Sequence, residues 1–371
     1  MKVHFLIPSQ KNEHSVTYSI FSDLFKGMKQ IGMDYDAHEI LINEKSAKNP
    51  YLSLPQLKLK ELKSLIRNSS VDEIFITIDD YEVIDALYDI KRETSVNLLI
   101  WIQYFKGHNF LFKKYRDIDP NLSSGVMGKF SLKLKSIIPP IIVSFFLNKY
   151  IKLLSESFVV TQSIWSALLT ERVYSISVKG VLQIPIDHQI YQNNNRQRIN
   201  RALVFMGNSN ETDLKSTYST IRIIEEITGV SSFDYFGLKE TGEIFSTKYS
   251  ITMNYLGSLT REQLISEYGI HILFISPIYN GNFEMMPIES ILTGTPVITF
   301  LQPFQEITGF SEMIANINNP EEIKIKVREW ISLNKEKKTS VRNKIVELMD
   351  PKVVARKLTE YAGMAMRGKN E

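Results

Sequence analysis

The residues best suited to chemistry lie between 270 and 300. Their order predicts a strand that ends at Ser276, a loop rich in Gly and Asn, and a short helix from Met286 to Thr293. Gly294 follows at the position where glycine commonly ends a helix. The unpaired backbone N–H groups at the start of such a helix, from Glu284 to Ile288, can bind a phosphate. Glu289, one turn in, can accept hydrogen bonds from neighbouring sugar hydroxyls.

The same pattern also fits an ordinary strand, loop and helix unit with no ligand. In that interpretation Glu289 lies on a solvated helix face. The spacing of the residues leaves both interpretations open.

Short apolar runs alternate with longer helical patterns along the chain, which is typical of parallel sheets covered by helices. The first half predicts strands at 2–7, 36–42, 73–78, 97–103, 157–161 and 178–184. The second half predicts strands at 202–207, 233–237, 251–257, 270–276 and 296–300. The predicted fold class is α/β, with two doubly wound Rossmann-like domains. Ligands are then expected beyond the carboxyl ends of the strands, in a central cleft that the two domains face.

A polar run at 191–198 separates the two series of strands. It has too little apolar surface to pack and no helical period, so it predicts the domain boundary. The predicted domains are 1–190 and 191–350. A C-terminal helix lies within 351–371, and the sequence leaves open whether it returns to the first domain.

Composition excludes several classes of protein. The chain has 371 residues, is 43% hydrophobic, carries a net charge of +3 and contains no cysteine. A disulfide framework, a thiolate metal site and a thiol nucleophile are therefore excluded. The balanced charge argues against a dedicated nucleic-acid binder. The first apolar run is short and predicts a buried strand, and no stretch reaches the roughly 18 apolar residues that span a bilayer. We expect a cytoplasmic protein.

A family resemblance is carried by the stretch from Asn280 to Ile298. It resembles the donor-nucleotide motif of family 4 glycosyltransferases, in which Glu-Gly-Phe-Gly, a Pro and a second Glu precede a helix that ends in Gly-Thr-Pro-Val. Other landmarks of that family agree in their order along the chain: Phe158–Trp165, Leu182–Asp187, Val204–Gly207 and Tyr255–Gly257.

The resemblance implies the glycosyltransferase B architecture, in which the domain at 1–190 would bind the acceptor and the domain at 191–350 the nucleotide-sugar. It also implies a metal-independent enzyme that retains the configuration at the anomeric carbon. Glu289 matches the second motif glutamate, which would hold the ribose hydroxyls of the nucleotide. The backbone from Phe283 to Met286 would face the donor phosphates. The residues expected to bind the nucleotide-sugar are Gly207, Asn208, Asn280, Gly281, Phe283, Met285, Met286 and Glu289. No cofactor is expected beyond the donor substrate.

The chain departs from the family pattern at two places. Asn280 or Gly281 stands where the first motif glutamate is expected, and Glu284 is the nearest carboxylate. The Arg and Lys that follow the opening glycine in the family are also absent, which leaves Lys215 as the nearest cation to stabilise the departing diphosphate. A solvated lysine at a helix start is the alternative for Lys215. Arg261 is a weaker candidate, and we expect it at the surface.

In the first domain, His108 follows the strand at 97–103. In related enzymes a histidine here contacts the donor sugar or the reacting centre, and an imidazole can donate or accept a hydrogen bond. A loop histidine without a role is the alternative. Asp79 and Asp80 follow the strand at 73–78, where one carboxylate could orient an acceptor hydroxyl. Capping of the next helix is the favoured interpretation.

Residues 106–152 contain nine Lys and Arg against two Asp. These cations flank an apolar run at 137–147 that is too short to span a bilayer and contains two prolines. The combination favours docking on an anionic membrane surface. A buried helix with a basic edge is the alternative. The residues expected to face the membrane are Lys133, Lys135, Phe145, Phe146 and Lys149.

The sequence thus predicts a glycosyltransferase at the inner face of the cell membrane. It would move a sugar from a nucleotide-sugar to a lipid-linked or polysaccharide precursor, with His108, Lys215 and Glu284 as candidate catalytic residues. A non-catalytic subunit of the same fold, acting as a partner or acceptor-binding module, is the alternative. An epimerase of nucleotide-sugars is a third hypothesis. No nucleic-acid partner is expected, and the oligomeric state is not predicted.

Overall fold

The chain forms two compact units. The computed structural model describes residues 1–9, 16–41, 54–79, 81–103, 140–191, 197–207, 211–277, 285–299, 319–332 and 335–367. The first unit contains the described residues within 1–103, 140–187 and 347–367, and the second contains those within 188–346.

The first unit is built on seven parallel strands: β1 (Lys2–Pro8), β2 (Tyr35–Leu41), β3 (Gln56–Lys58), β4 (Glu73–Ile78), β5 (Asn97–Ile102), β6 (Phe158–Thr161) and β7 (Gly180–Val181). Their order in the sheet is β3-β2-β1-β4-β5-β6-β7. The chain therefore winds outward from β1 in both directions. Its helices are α1 (Val16–Gln30), α2 (Leu59–Arg67), α3 (Tyr81–Glu93), α4 (Pro140–Ser155) and α5 (Ile164–Tyr174), together with a final helix described below.

The second unit has five parallel strands: β8 (Ile199–Met206), β9 (Phe233–Gly237), β10 (Met253–Tyr255), β11 (His271–Ser276) and β12 (Val297–Thr299). They lie in the order β10-β9-β8-β11-β12, so this sheet also winds outward from its first strand. Its helices are α6 (Glu211–Thr228), α7 (Lys239–Tyr249), α8 (Arg261–Ile270), α9 (Met285–Leu292), α10 (Pro320–Ser332) and α11 (Lys335–Met349), whose last turn belongs to the first unit.

The predicted α/β class with two doubly wound parallel sheets is confirmed. The central strands are apolar along most of their length because helices cover both faces of such sheets. Strand β5, for example, is buried at all six residues. Two details differ from the prediction. The short edge strand β3 was not predicted, and the predicted strand at 178–184 pairs only at Gly180–Val181.

The final helix, α12 (Pro351–Arg367), packs against α1 and β5 of the first unit. Gly27 in α1 allows this close approach, because a Cβ there would lie 2.0 Å from the carbonyl oxygen of Pro351. The Tyr361 hydroxyl donates to the Val181 carbonyl at 3.2 Å. The returning helix therefore closes one face of the first sheet. None of the helices in the described part of the chain is both long and apolar enough to cross a bilayer.

Candidate active site

Glu289 lies at the carboxyl end of the second sheet, because its helix α9 follows the loop after β11. The helix runs from Met285 to Leu292, one residue earlier than predicted at each end. Gly294 has φ +81° and ends it in the left-handed conformation. The Gly294 N–H donates to the Ile291 carbonyl at 2.8 Å, and the Thr295 N–H donates to the Ser290 carbonyl at 2.9 Å. This pair of bonds is a Schellman motif, which fixes the end of the helix.

Arg198 fastens the same helix end. Its guanidinium donates to the Gly294 carbonyl and to the Thr295 hydroxyl, each at 2.9 Å, and to the His271 carbonyl at 2.5 Å. Burial lowers the pKa of this guanidinium, but arginine stays charged in proteins. One side chain thus joins the end of α9 to the start of β11, and this restricts the position of Glu289.

A buried group of three side chains surrounds the Glu289 carboxylate. The Tyr191 hydroxyl donates to Glu289 Oε1 at 2.5 Å. Arg261 Nε donates to the Tyr191 hydroxyl at 2.9 Å and lies 3.7 Å from Glu289 Oε1. The Arg261 guanidinium carbon is 5.4 Å from the centroid of the Tyr191 ring. We call Tyr191, Arg261 and Glu289 the carboxylate triad.

The hydrogen bond from Tyr191 and the charge of Arg261 compensate for the burial of the Glu289 carboxylate. Tyr191 is fully buried and Glu289 is 6% exposed, and a buried carboxylate requires hydrogen bonds and a compensating charge. Burial, and then the negative charge of Glu289, raises the pKa of the Tyr191 hydroxyl well above 10. The phenol therefore stays protonated and remains a donor to the carboxylate.

One expectation from the sequence is wrong at the carboxylate triad, because the Arg261 side chain is only 12% exposed instead of being at the surface. Of the two interpretations left open for Glu289, the solvated helix face does not agree with its burial. The run at 191–198 was expected not to pack, yet Tyr191 is fully buried at one end and Arg198 forms three hydrogen bonds at the other. Sequence analysis missed Tyr191. The only available signal was an aromatic residue that begins a polar run.

Glycines shape the neighbouring strand ends. Gly237 has φ +107°, and a Cβ there would lie 2.4 Å from the Met206 carbonyl oxygen. That carbonyl accepts the Leu238 N–H at 2.7 Å, which brings the ends of β8 and β9 together. At Gly207 a Cβ would lie 2.7 Å from Cε1 of Phe205. Both positions therefore favour glycine over a residue with a side chain.

The other predicted residues of the second unit are placed only in part. Met285 is buried and Met286 half-buried in the first turn of α9, whereas Lys215 is exposed in the second turn of α6. Six predicted site residues lie outside the described residues: His108, Asn208, Asn280, Gly281, Phe283 and Glu284. The same holds for Asp80, Lys133 and Lys135, and the side chains of Phe145 and Phe146 are not described either.

In the first unit, polar side chains meet at the carboxyl ends of β4, β5 and β6. Asp79 is 3% exposed, and its Oδ1 accepts the Gln103 N–H at 2.9 Å. The Gln162 side-chain amide donates to the Gln103 carbonyl. The Gln103 side-chain amide is buried, and neither of its polar atoms has a hydrogen-bond partner among the described residues. Asp79 therefore joins the carboxyl ends of β4 and β5, beside the side-chain amide of Gln103.

Comparison with solved structures identifies the fold. Sucrose-phosphate synthase from Thermosynechococcus elongatus is 10% identical, with 98% of this chain and 99% of that chain covered and a TM-score of 0.70. A glycosyltransferase from Rickettsia africae is 12% identical, with 98% of both chains covered and a TM-score of 0.68. A UDP-forming α,α-trehalose-phosphate synthase from Burkholderia xenovorans is 10% identical, with 98% and 99% covered and a TM-score of 0.62.

These similarities extend over nearly the whole of each chain, and they show that this chain has the glycosyltransferase B fold. They are similarities of structure at low sequence identity, so they define the architecture. No model of a known protein family matches the chain, and comparison of its sequence with curated proteins gives no match.

The carboxylate triad predicts a measurable stability effect for Tyr191→Phe. The variant removes the hydrogen bond to Glu289 and the one from Arg261, so we expect the free energy of unfolding to fall by about 1 to 3 kcal/mol. The raised pKa of Tyr191 favours the neutral phenol in the folded state. Its stabilising contribution is therefore complete below about pH 10 and is lost as the pH rises through the folded-state pKa. Urea unfolding of both proteins at several pH values measures this.

Tyr218→Phe is the matched control, since the hydrogen bond that the Tyr218 hydroxyl makes among the described residues is a long, exposed one of 3.4 Å from Arg222. We expect it to change stability by less than about 0.5 kcal/mol. Equal losses in the two variants, or a difference between wild type and Tyr191→Phe that widens above pH 10, would contradict the described triad.

Proposed function

We propose that the protein is a glycosyltransferase that moves a sugar from a nucleotide-sugar to an acceptor hydroxyl. The observation that carries this proposal is the buried, oriented carboxylate of Glu289 at the carboxyl end of a nucleotide-binding type of sheet. Open parallel sheets bind ligands at that end. The glycosyltransferase B fold supports the same conclusion, as does the resemblance of residues 280–298 to the donor motif of family 4 glycosyltransferases.

Glu289 is proposed to bind the ribose hydroxyls of the donor. A carboxylate offers two oxygens and about four acceptor positions, and the Tyr191 hydroxyl takes one of them at Oε1. Tyr191 and Arg261 hold the carboxylate in one orientation. Its oxygens are therefore already positioned to accept hydrogen bonds from the two ribose hydroxyls. Such preorganisation reduces the entropy lost on binding.

The donor diphosphate is proposed to lie at the start of α9, where backbone N–H groups and the positive end of the helix face an anion. Lys215 is proposed to bind the same diphosphate and to stabilise the charge that grows on it as the bond to the anomeric carbon breaks. The acceptor oxygen then bonds to that carbon and gives its proton to the departing diphosphate, with retention of configuration. Among the neighbours, the Burkholderia xenovorans enzyme is described as UDP-forming, so uridine donors are tested first.

The acceptor is proposed to be a lipid-linked or polysaccharide precursor at the inner face of the cell membrane. The support is the excess of cations in 106–152 beside an apolar run. Within that segment, the Lys149 ammonium lies 3.9 Å from Asp89 and 5.5 Å from the Tyr88 ring centroid, so part of its charge is used inside the first unit. Of the three lysines expected to face the membrane, Lys133 and Lys135 are therefore the better candidates for contact with anionic lipid.

Donor binding depends on Glu289 in this proposal. We expect UDP and UDP-sugars to raise the melting temperature of the wild-type protein, because a ligand that binds only the folded state stabilises it. In Glu289→Gln the affinity should fall by at least about tenfold, since hydrogen bonds to a charged acceptor are lost. Titration calorimetry with a panel of nucleoside diphosphates and their sugars measures both effects.

Glu262→Gln is the matched control, because Glu262 is exposed one position after Arg261. It should bind the donor as the wild type does. Failure of the intact protein to bind any nucleotide in the panel would contradict the enzyme proposal and favour the non-catalytic subunit.

Replacement of Lys215 should affect turnover more than binding. We expect Lys215→Met to lower kcat by about 100-fold, while the donor dissociation constant changes much less, because the ammonium acts on charge that develops in the transition state. Release of the nucleoside diphosphate from the donor that binds best measures kcat. Lys344→Met, at an exposed position of α11, is the control. Equal rates in Lys215→Met and the control would show that Lys215 is only a solvated residue.

Membrane docking should depend on charge. With vesicles that contain anionic lipid, the double variant Lys133→Gln and Lys135→Gln should bind about 10 to 30 times more weakly than the wild type, since each cation contributes about 1 kcal/mol near such a surface. Co-sedimentation at low and physiological salt measures this. The control is the double variant Lys60→Gln and Lys63→Gln, which removes the same two charges from α2 and should sediment as the wild type does. Unchanged sedimentation of the first variant would remove electrostatic docking through these lysines.

A further inference from the structure

A second group of chemistry-bearing side chains lies on one face of the first sheet, in the amino-terminal halves of its strands. The strand register places His4 beside Asp36 of β2 and Lys2 beside Glu73 of β4, while Leu6 is beside His38 of β2. Because alternate residues of a strand share a face, these side chains point to the same side. We call His4, Asp36, His38 and Glu73 the histidine cluster. None of them belongs to the carboxylate triad or to the carboxyl ends of the strands.

The distances within the histidine cluster are those of potential ligands. His4 Nδ1 lies 3.5 Å from Asp36 Oδ2, and the His4 and His38 rings are stacked with centroids 6.3 Å apart. One ligand atom from each of His4, Asp36 and His38 lies within 4.8 Å of the others. Small adjustments of the two half-buried side chains, Asp36 and His38, would bring three donor atoms around one ion.

Three of the four ring nitrogens of the cluster have no hydrogen-bond partner among the described residues. His4 is 1% exposed, and its Nδ1 has no hydrogen-bond partner among the described residues. The same is true of both ring nitrogens of His38. Buried polar atoms without a partner are rare and each is costly, by about 1 to 3 kcal/mol. Two histidines with unpaired ring nitrogens beside one carboxylate point to a missing ligand.

Glu73 determines which nitrogen of His4 can bind an ion. His4 Nε2 lies 2.8 Å from Glu73 Oε2, so the neutral ring carries its proton on Nε2 and directs the lone pair of Nδ1 toward Asp36 and His38. Phe75 stacks on the His4 ring with centroids 4.7 Å apart and holds its plane. A histidine oriented by a carboxylate on its other nitrogen is the usual arrangement around protein-bound metals.

We propose that the histidine cluster binds a divalent transition-metal ion such as Zn²⁺, with His4 Nδ1, one ring nitrogen of His38 and the Asp36 carboxylate as ligands. Two imidazoles and one carboxylate favour Zn²⁺, Ni²⁺ or Co²⁺ over Mg²⁺ and Ca²⁺. The surrounding pocket of about 480 Å³ is lined in part by Ser64, Asn68 and Glu61 from the region of α2, and it leaves room for water as a further ligand.

Lys2 would compete with a metal ion for the Asp36 carboxylate. Its ammonium lies 2.8 Å from Asp36 Oδ2, but its side chain is 56% exposed and can turn into solvent when an ion binds. Because the ion would link β1 to β2, its expected role is to stabilise the first unit. The site takes no part in the proposed sugar transfer, so its test is independent of that function.

The test uses the full chain without an affinity tag, stripped of metal by a chelator. We expect one equivalent of Zn²⁺ to bind and to raise the melting temperature by several degrees, since binding to the folded state stabilises it. Co²⁺ should give visible absorption bands from its ligand field, and Mg²⁺ should have no effect. In His38→Asn and in Asp36→Asn the Zn²⁺ affinity should fall by at least about tenfold.

Asp34→Asn is the control for charge, because Asp34 is exposed two positions before Asp36. It should bind Zn²⁺ like the wild type, and circular dichroism establishes that each variant is folded. The proposal is overturned if the wild type does not bind Zn²⁺, if both cluster variants bind as tightly as the wild type, or if Mg²⁺ gives the same stabilisation.

Discussion

The requirement that a buried carboxylate be paired governs the second unit. Glu289 is held by Tyr191 and Arg261, which come from the segment before β8 and from the first turn of α8. The Thr260 side chain caps α8 by accepting the Gln263 N–H, and this fixes the start of the helix at Arg261. The Schellman motif and Arg198 fix the other end of α9. The position of one carboxylate therefore depends on four separate segments of the chain.

Both units use a parallel sheet to bring polar groups from different strands together. Parallel strands place their carboxyl ends at one edge, and both sheets carry polar groups there. In the second unit that edge presents the carboxylate triad. In the first it presents Asp79 and the Gln103 amide, next to the end of a strand that His108 follows in sequence. These groups agree with the prediction that the first domain binds an acceptor, since amides and carboxylates both bind hydroxyl groups.

The amino-terminal halves of β1 and β2 carry a different chemistry. There the imidazoles of His4 and His38 and the Asp36 carboxylate replace the amides and the carboxylate at the other end. The two regions lie at opposite ends of the same sheet, the cluster on β1, β2 and the start of β4 and the amides after β5 and β6. An ion bound in the histidine cluster would tie β1 to β2 without entering the edge where substrates are expected. Stability and transfer chemistry can therefore be separated within one sheet.

The sequence by itself determined the local structure. Apolar runs predicted the central strands, and Gly294 predicted the end of α9. Ser163 caps the start of α5 through its own side chain. These signals work because strand burial, capping and left-handed glycines depend on neighbouring residues. Only the tertiary structure decided that Tyr191 and Arg261 meet Glu289, and that His38 meets His4. Those contacts join residues 28 to 98 positions apart, and they exist because strand order and helix packing bring distant segments together.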